Sequence, residues 1–78
     1  MPSGKLRNKS SRQVAELLRH HGFTLEKSGP HERWMHRSGE RPPVIVPANR
    51  DAIAPKTLLS ILEQAGIPKD EARGFWGG

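Results

Sequence analysis

Two amphipathic helical segments, one on each side of a strand-rich middle, constrain most what this 78-residue chain can fold into. The first opens with Ser10-Ser11-Arg12-Gln13, which has the spacing of a capping box, and Gly22 is placed to end it. The positions i, i+3, i+4 and i+7 of one helical face are Val14, Leu17, Leu18 and His21. This spacing predicts a first helix with a single buried stripe.

The second helical segment begins at about Pro55, a residue suited to the first turn of a helix, and extends to Ala65, with Gly66 after it. Its apolar stripe consists of Leu58, Ile61, Leu62 and Ala65. Because each helix has only one stripe, both must pack on the same side of the intervening segments to share a core. The other side is then open to water.

Three short antiparallel strands are predicted between the helices. Phe23 and Leu25 alternate with polar residues and are expected to point inward, and Pro47 is expected to end the last strand. The predicted strands are Phe23 to Lys27, His31 to Arg37 and Val44 to Val46, separated by turns. The predicted fold class is therefore α+β, in the order α-β-β-β-α, with a three-stranded sheet and two helices on one face.

The composition favours a basic protein with a small core. The formal net charge is +5, the pI is near 10.5 and 33% of the residues are hydrophobic. Nucleic acid is the natural partner for this charge, although an acidic protein partner or a merely soluble basic domain also fits it. The chain has no cysteine, which excludes disulfides and thiolate metal sites, and no apolar run of ~20 residues. We expect a cytoplasmic protein without membrane association.

The periodic segments form one domain with a short segment on each side. Residues 1–9 are polar and basic, which predicts a flexible arm. Residues 10–67 form the expected domain. Residues 68–78 are a polar tail in which Phe75 and Trp76 could dock on the core, contact a partner or be disordered. The sequence leaves these alternatives open.

The second strand carries the candidate catalytic residue. Alternation places Trp34 on the core side and directs His31, Arg33 and Arg37 to the open face. Histidine can take a proton from a ribose 2′-hydroxyl near neutral pH, and arginine can bind a phosphate bidentately. These side chains form a candidate ribonuclease site, although a solvated basic face explains the same residues. Lys56, in the first turn of the second helix, is a further candidate phosphate contact or a solvated lysine.

A metal site is not predicted. His31 and His36 are five residues apart in the sequence, which puts them on opposite faces of a strand. The chain has neither a helical HExxH spacing nor clustered carboxylates. We therefore expect no cofactor, and we expect a structural role for His36.

Several groups of residues between about Ser10 and Ile67 carry a family resemblance. They are Lys9-Ser10-Ser11, Leu17-Leu18 leading to Gly22-Phe23, Gly29-Pro30-His31-Glu32-Arg33-Trp34, Val46-Pro47 and, most specifically, Thr57-Leu58-Leu59-Ser60-Ile61-Leu62-Glu63-Gln64-Ala65-Gly66-Ile67. Together they resemble the HicA family of toxin mRNA interferases. Two positions depart from the family's pattern. Pro30 stands where a serine is frequent, and Asn49 stands where a histidine or another polar residue often appears, so that loop offers no second histidine.

The resemblance implies a fold like that of double-stranded-RNA-binding domains, with mRNA as substrate and a HicB-type antitoxin as partner. It also implies that His31 is the catalytic histidine. The hypothesis is a metal-independent endoribonuclease in which His31 is the general base and Arg33 or Arg37 stabilises the developing charge. The alternatives are a non-catalytic RNA-binding module of the same fold, which the single Lys56 argues against, and a domain that binds an acidic protein.

Overall fold

The computed structural model describes residues 6–77, which contain one antiparallel sheet and three helices. The strands are hydrogen-bonded in the order β1-β2-β3. The predicted α+β order is confirmed, and one further helix follows it. Within the described residues no helix is long and apolar enough to cross a membrane. The elements are α1 (Ser11–His20), β1 (Phe23–Lys27), β2 (His31–His36), β3 (Val44–Pro47), α2 (Pro55–Ala65) and α3 (Lys69–Trp76).

Local chemistry at the helix ends explains where α1 and α2 begin and end. The Ser10 hydroxyl accepts from the main-chain N–H of Gln13 at 3.1 Å, and the Gln13 side chain accepts from the Ser10 N–H at 2.9 Å. This is the predicted capping box. In α2, Pro55 occupies the first turn, and Gly66 ends the helix with a φ of +70°, a conformation that glycine adopts without steric cost.

The core lies between the helices and one face of the sheet. Trp34 is 1% exposed, and its neighbours across the strands, Val44 and Val46 on β3 and Phe23 on β1, are buried with it. The expectation that Leu25 points inward is only half met. Leu25 is the cross-strand partner of Trp34, but its side chain is 41% exposed. β1 is an edge strand, and all of its residues after Phe23 are exposed.

The expected basic arm lies partly outside the described residues and partly within the fold. Residues 1–5 are not described. Leu6 is buried in the core, and Lys9 forms an isolated antiparallel bridge with Ile53, whose N–H donates to the Lys9 carbonyl at 2.7 Å. Residues 6–9 are therefore part of the folded domain.

The segment after Pro68 forms α3, so docking on the core is the alternative that the fold adopts. Ala72 is fully buried, and the indole N–H of Trp76 donates to the carbonyl of Gln13 at 3.1 Å. The Lys9 ammonium lies 5.5 Å from the centroid of the Trp76 ring. Trp76 thus joins α3 to α1 through both apolar and polar partners. The Phe75 ring adds a contact with His20 on α1, at 4.9 Å between centroids.

We expect Trp76→Ala to destabilise the domain by about 1–3 kcal/mol, because it removes a half-buried ring and a donor to a main-chain carbonyl. Thermal unfolding followed by circular dichroism tests this. Leu59→Ala is the control, since Leu59 is 42% exposed on α2. Equal melting temperatures for the two variants would contradict the docked position of α3.

Candidate nucleic-acid interface

His31 is the first residue of β2, and its side chain is exposed on the face that the helices leave uncovered. Its cross-strand partner is Pro47. The turn before it is held to the end of β3, because the N–H of Ala48 donates to the carbonyl of Pro30 at 3.2 Å. Within residues 6–77 the His31 ring makes no hydrogen bond or ion pair. Its imidazole is therefore accessible on a well-fixed piece of backbone.

Arg33 lies on the same face two residues further along β2, at about 7 Å for an extended chain. Its Nε is 2.6 Å from Oε1 of Glu26, and both side chains are about half exposed. A register shift in β1 between Leu25 and Lys27 accompanies this pairing. An exposed ion pair of this kind contributes only ~0–1 kcal/mol, so a phosphate can compete with Glu26 for the guanidinium.

Arg37 lies one residue beyond the end of β2 and far from His31 along the chain. β2 ends at His36, and the main-chain N–H of Arg37 donates to the carbonyl of Gly22 at 2.9 Å. His31 and Arg37 are six residues apart, about 20 Å along an extended chain. Alternation along the strand describes the face of a side chain and not its distance from His31. His31 and Arg37 cannot contact the same phosphate.

Lys56 is exposed in the first turn of α2. The next residue, Thr57, lines a cleft of about 250 Å³ together with Ala54 and Pro47. Because Pro47 is also the cross-strand partner of His31, the start of α2 lies at the His31 end of the sheet. Lys56 is therefore closer in the topology to the candidate base than Arg37 is.

The opposite side of β2 is held by its own polar contacts. The indole N–H of Trp34 donates to Oε1 of Glu32 at 3.0 Å, and the Arg19 guanidinium lies 5.1 Å from the centroid of the Trp34 ring. A buried indole that keeps a hydrogen-bond partner has one favoured orientation. Because side chains alternate along a strand, this orientation of Trp34 places His31 and Arg33 on the opposite, open face of β2.

His36 belongs to the core side of the strand, as predicted from the alternation. Its ring packs edge-on against Phe23 at 5.0 Å between centroids, and its Nδ1 is 2.8 Å from the Ser38 hydroxyl. In the described part of the chain, no group of three or more His, Asp or Glu side chains could hold a metal ion. His36 is a structural residue of the β2–β3 turn.

Ser11 joins the start of α1 to the loop after β3, a role that the sequence reading did not assign. Its hydroxyl donates to the carbonyl of Pro47 at 2.6 Å and accepts from the N–H of Arg50 at 2.9 Å. Its own N–H donates to the carbonyl of Arg50 at 2.9 Å. Ser11 is buried, so these bonds fix the loop that follows the His31 partner strand. The sequence signal for this role is the second of two consecutive serines. Ser10 caps α1, which leaves the Ser11 hydroxyl to bond to Pro47 and Arg50.

Fold and site define a small α+β domain with an exposed histidine and an exposed arginine on the open face of its sheet. The family model described as HicA toxin of bacterial toxin-antitoxin matches residues 11–67. The chain belongs to the HicA toxin family, and the resemblance read from the motifs is confirmed. Searches of curated proteins and of solved structures gave no match. The match ends before α3, so α3 lies outside the part that the family model describes.

We expect Ser11→Ala to lower the unfolding free energy by about 1–3 kcal/mol, because it leaves the Pro47 carbonyl and the Arg50 N–H without their partner. For a domain of this size, each kcal/mol corresponds to about 4–8 °C in melting temperature. Ser60→Ala, at an exposed position of α2, is the matched control and should stay within ~0.5 kcal/mol of the parent. An unchanged Ser11→Ala melting curve would refute the joining role.

Proposed function

We propose that this chain is the toxin of a toxin–antitoxin pair and acts as an mRNA interferase, a metal-independent endoribonuclease with His31 as its general base. The observation that carries the proposal is the accessible imidazole of His31 on the open face, two residues from Arg33, in a chain of the HicA toxin family. Messenger RNA as substrate implies that the activity takes place in the cytoplasm.

The proposed reaction is an internal transesterification. His31 takes the proton of a ribose 2′-hydroxyl, and the 2′-oxygen attacks the adjacent phosphorus atom. The bond from phosphorus to the 5′-oxygen breaks, and that oxygen takes a proton from solvent water, which leaves a 2′,3′-cyclic phosphate and a 5′-hydroxyl; protonated His31 then returns its proton to solvent. Arg33 stabilises the charge that develops on the phosphate oxygens. A single positioned base typically contributes ~10²–10⁴-fold in rate.

The other basic residues bind neighbouring phosphates rather than the reacting one. Lys56 is at the His31 end of the sheet and is assigned to a phosphate next to the cleavage point. Arg37 is about 20 Å further along the chain and is assigned to a more distant phosphate of the same strand. This division lets one RNA strand follow β2 along its length.

A HicB-type antitoxin is the proposed protein partner. Membership of the family implies pairing with an antitoxin. The side of the sheet with His31 and Arg33 is exposed, and the chain has a net charge of +5. An antitoxin that covers this face would exclude RNA from the base and neutralise the toxin.

We expect His31→Ala to reduce cleavage of single-stranded RNA by roughly 10²–10⁴-fold, because the general base is lost. The assay uses purified full-length chain with EDTA present and follows cleavage of a labelled RNA. His20→Ala is the control, because His20 is an exposed histidine on α1.

Circular dichroism must show that both variants are folded. Full activity in the His31→Ala variant would exclude His31 as the base. Binding of RNA by the parent protein without cleavage would favour the non-catalytic RNA-binding module.

We expect opposite effects on RNA affinity from the two partners of the ion pair on the open face. Arg33→Gln removes a phosphate contact, so affinity falls and the slope of log affinity against log salt decreases by about 0.7. Glu26→Gln releases the guanidinium and raises affinity. Glu16→Gln, an exposed position on α1, removes the same charge and controls for the net-charge effect.

Titration of labelled single-stranded RNA at several salt concentrations measures both quantities. If Glu26→Gln and Glu16→Gln raise the affinity equally, the ion pair does not restrain Arg33.

A further inference from the structure

A polar cleft of about 540 Å³ lies between the start of α1, the start of β2 and the loop after β3. This volume is within the ~300–1,000 Å³ typical of small-molecule sites. Its charged and amide-bearing lining residues are Arg12, Glu32, Asn49, Arg50 and Asp51. The reaction proposed above uses none of them.

Two strands connect the cleft to His31, the candidate general base. Glu32 follows His31 directly and faces the other side of β2. Asn49 comes two residues after Pro47, the cross-strand partner of His31. His31 is the first residue of its strand, so the sheet ends there. A nucleotide with its phosphate at His31 can pass around this end of the sheet and place its nucleobase in the cleft.

Hydrogen bonds within the domain hold the main chain of one wall of the cleft. Both main-chain groups of Arg50 are bonded to Ser11, and Asn49 has a φ of +56°, in the left-handed region. Asparagine is one of the few residues other than glycine that adopt this conformation readily. Such preorganisation reduces the entropic cost of binding.

The charged side chains that line the cleft disfavour a phosphate and favour a nucleobase. The start of α1 is closed by its own capping box, so the main-chain N–H of Gln13 already has a partner. The Glu32 and Asp51 carboxylates would repel an anion. They are acceptors, which suits the N1–H and N2–H₂ donors of guanine, while the Arg12 and Arg50 guanidiniums can donate to O6 and N7.

Adenine and uracil match this set less well. Adenine offers one exocyclic amino group and no N1–H, and uracil offers only N3–H as a donor. Guanine alone presents two adjacent donors to a carboxylate and two adjacent acceptors to an arginine.

We propose that this cleft is a guanine subsite, which selects the RNA by the nucleobase next to the phosphate that lies at His31. The proposal rests on the proposed function only in taking RNA as the ligand. Glu32 and Asp51 accept from the base, and Arg12 and Arg50 donate to it. Glu32 retains its hydrogen bond from Trp34. The nucleobase is therefore bound by a side chain that the core already holds in place.

The test is binding of labelled oligouridine RNA with one central guanosine, adenosine or inosine, measured by fluorescence anisotropy with the full-length His31→Ala chain. Inosine lacks only the N2 amino group. We expect the guanosine oligomer to bind roughly 5- to 150-fold more tightly than the adenosine oligomer, with inosine between them. Equal binding of the three oligomers, or preference for adenosine, overturns the proposal.

Isosteric variants assign the preference to the cleft. Glu32→Gln and Asp51→Asn should lose the preference for guanosine over inosine, and in Glu32→Gln the amide oxygen of the new side chain can still accept from Trp34. Glu40→Gln, an exposed position in the turn at the other end of β2, makes the same charge change and should keep the preference. Retained preference in both cleft variants overturns the assignment.

Cleavage of the same oligomers by the unmodified chain separates the two proposals. Cleavage without preference for guanosine leaves the endoribonuclease in place and refutes the subsite. A preference for guanosine in binding without cleavage refutes the catalytic role and supports the subsite.

Discussion

The buried indole of Trp34 is the constraint on which the rest of the structure depends. Its ring is 1% exposed, and its N–H has a partner in Glu32 at 3.0 Å. A buried donor left without an acceptor would cost about 1–3 kcal/mol, so burial and the hydrogen bond together select one orientation of β2. Because side chains alternate along a strand, this orientation directs His31 and Arg33 to the open face.

The polar groups with functional potential are concentrated at one end of the sheet. The turn before His31 is bonded to the residue after β3, and Ser11 attaches the next loop to α1. Those bonds bring His31, the start of α2 and the polar cleft together. The opposite end, where Arg37 lies, is a turn next to Gly22. In the proposed function, a strand of RNA along β2 would therefore meet the proposed catalytic histidine at one end of the strand and a positive charge at the other.

The helices could be predicted because their signals are local. The capping box at Ser10 and the left-handed Gly66 are set by residues within one turn of the helix ends. His31 could be placed on the open face for the same kind of reason, from period two around a single tryptophan. α3 was not predicted, although Pro68 with Asp70 and Glu71 in the first turn is typical of a helix start, because its stability comes from docking against α1.

By itself, the sequence determined the order of elements, the single buried stripe of each main helix and the residue types on the exposed strand face. These depend on periodicity and on neighbours close in the chain. Only the tertiary structure decided that Glu26 pairs with Arg33, that Arg37 leaves the strand, and that the residues around Ser11 enclose a cleft. Each of these depends on a register shift, a strand end or a contact between residues distant in sequence, which the pattern of one segment does not contain.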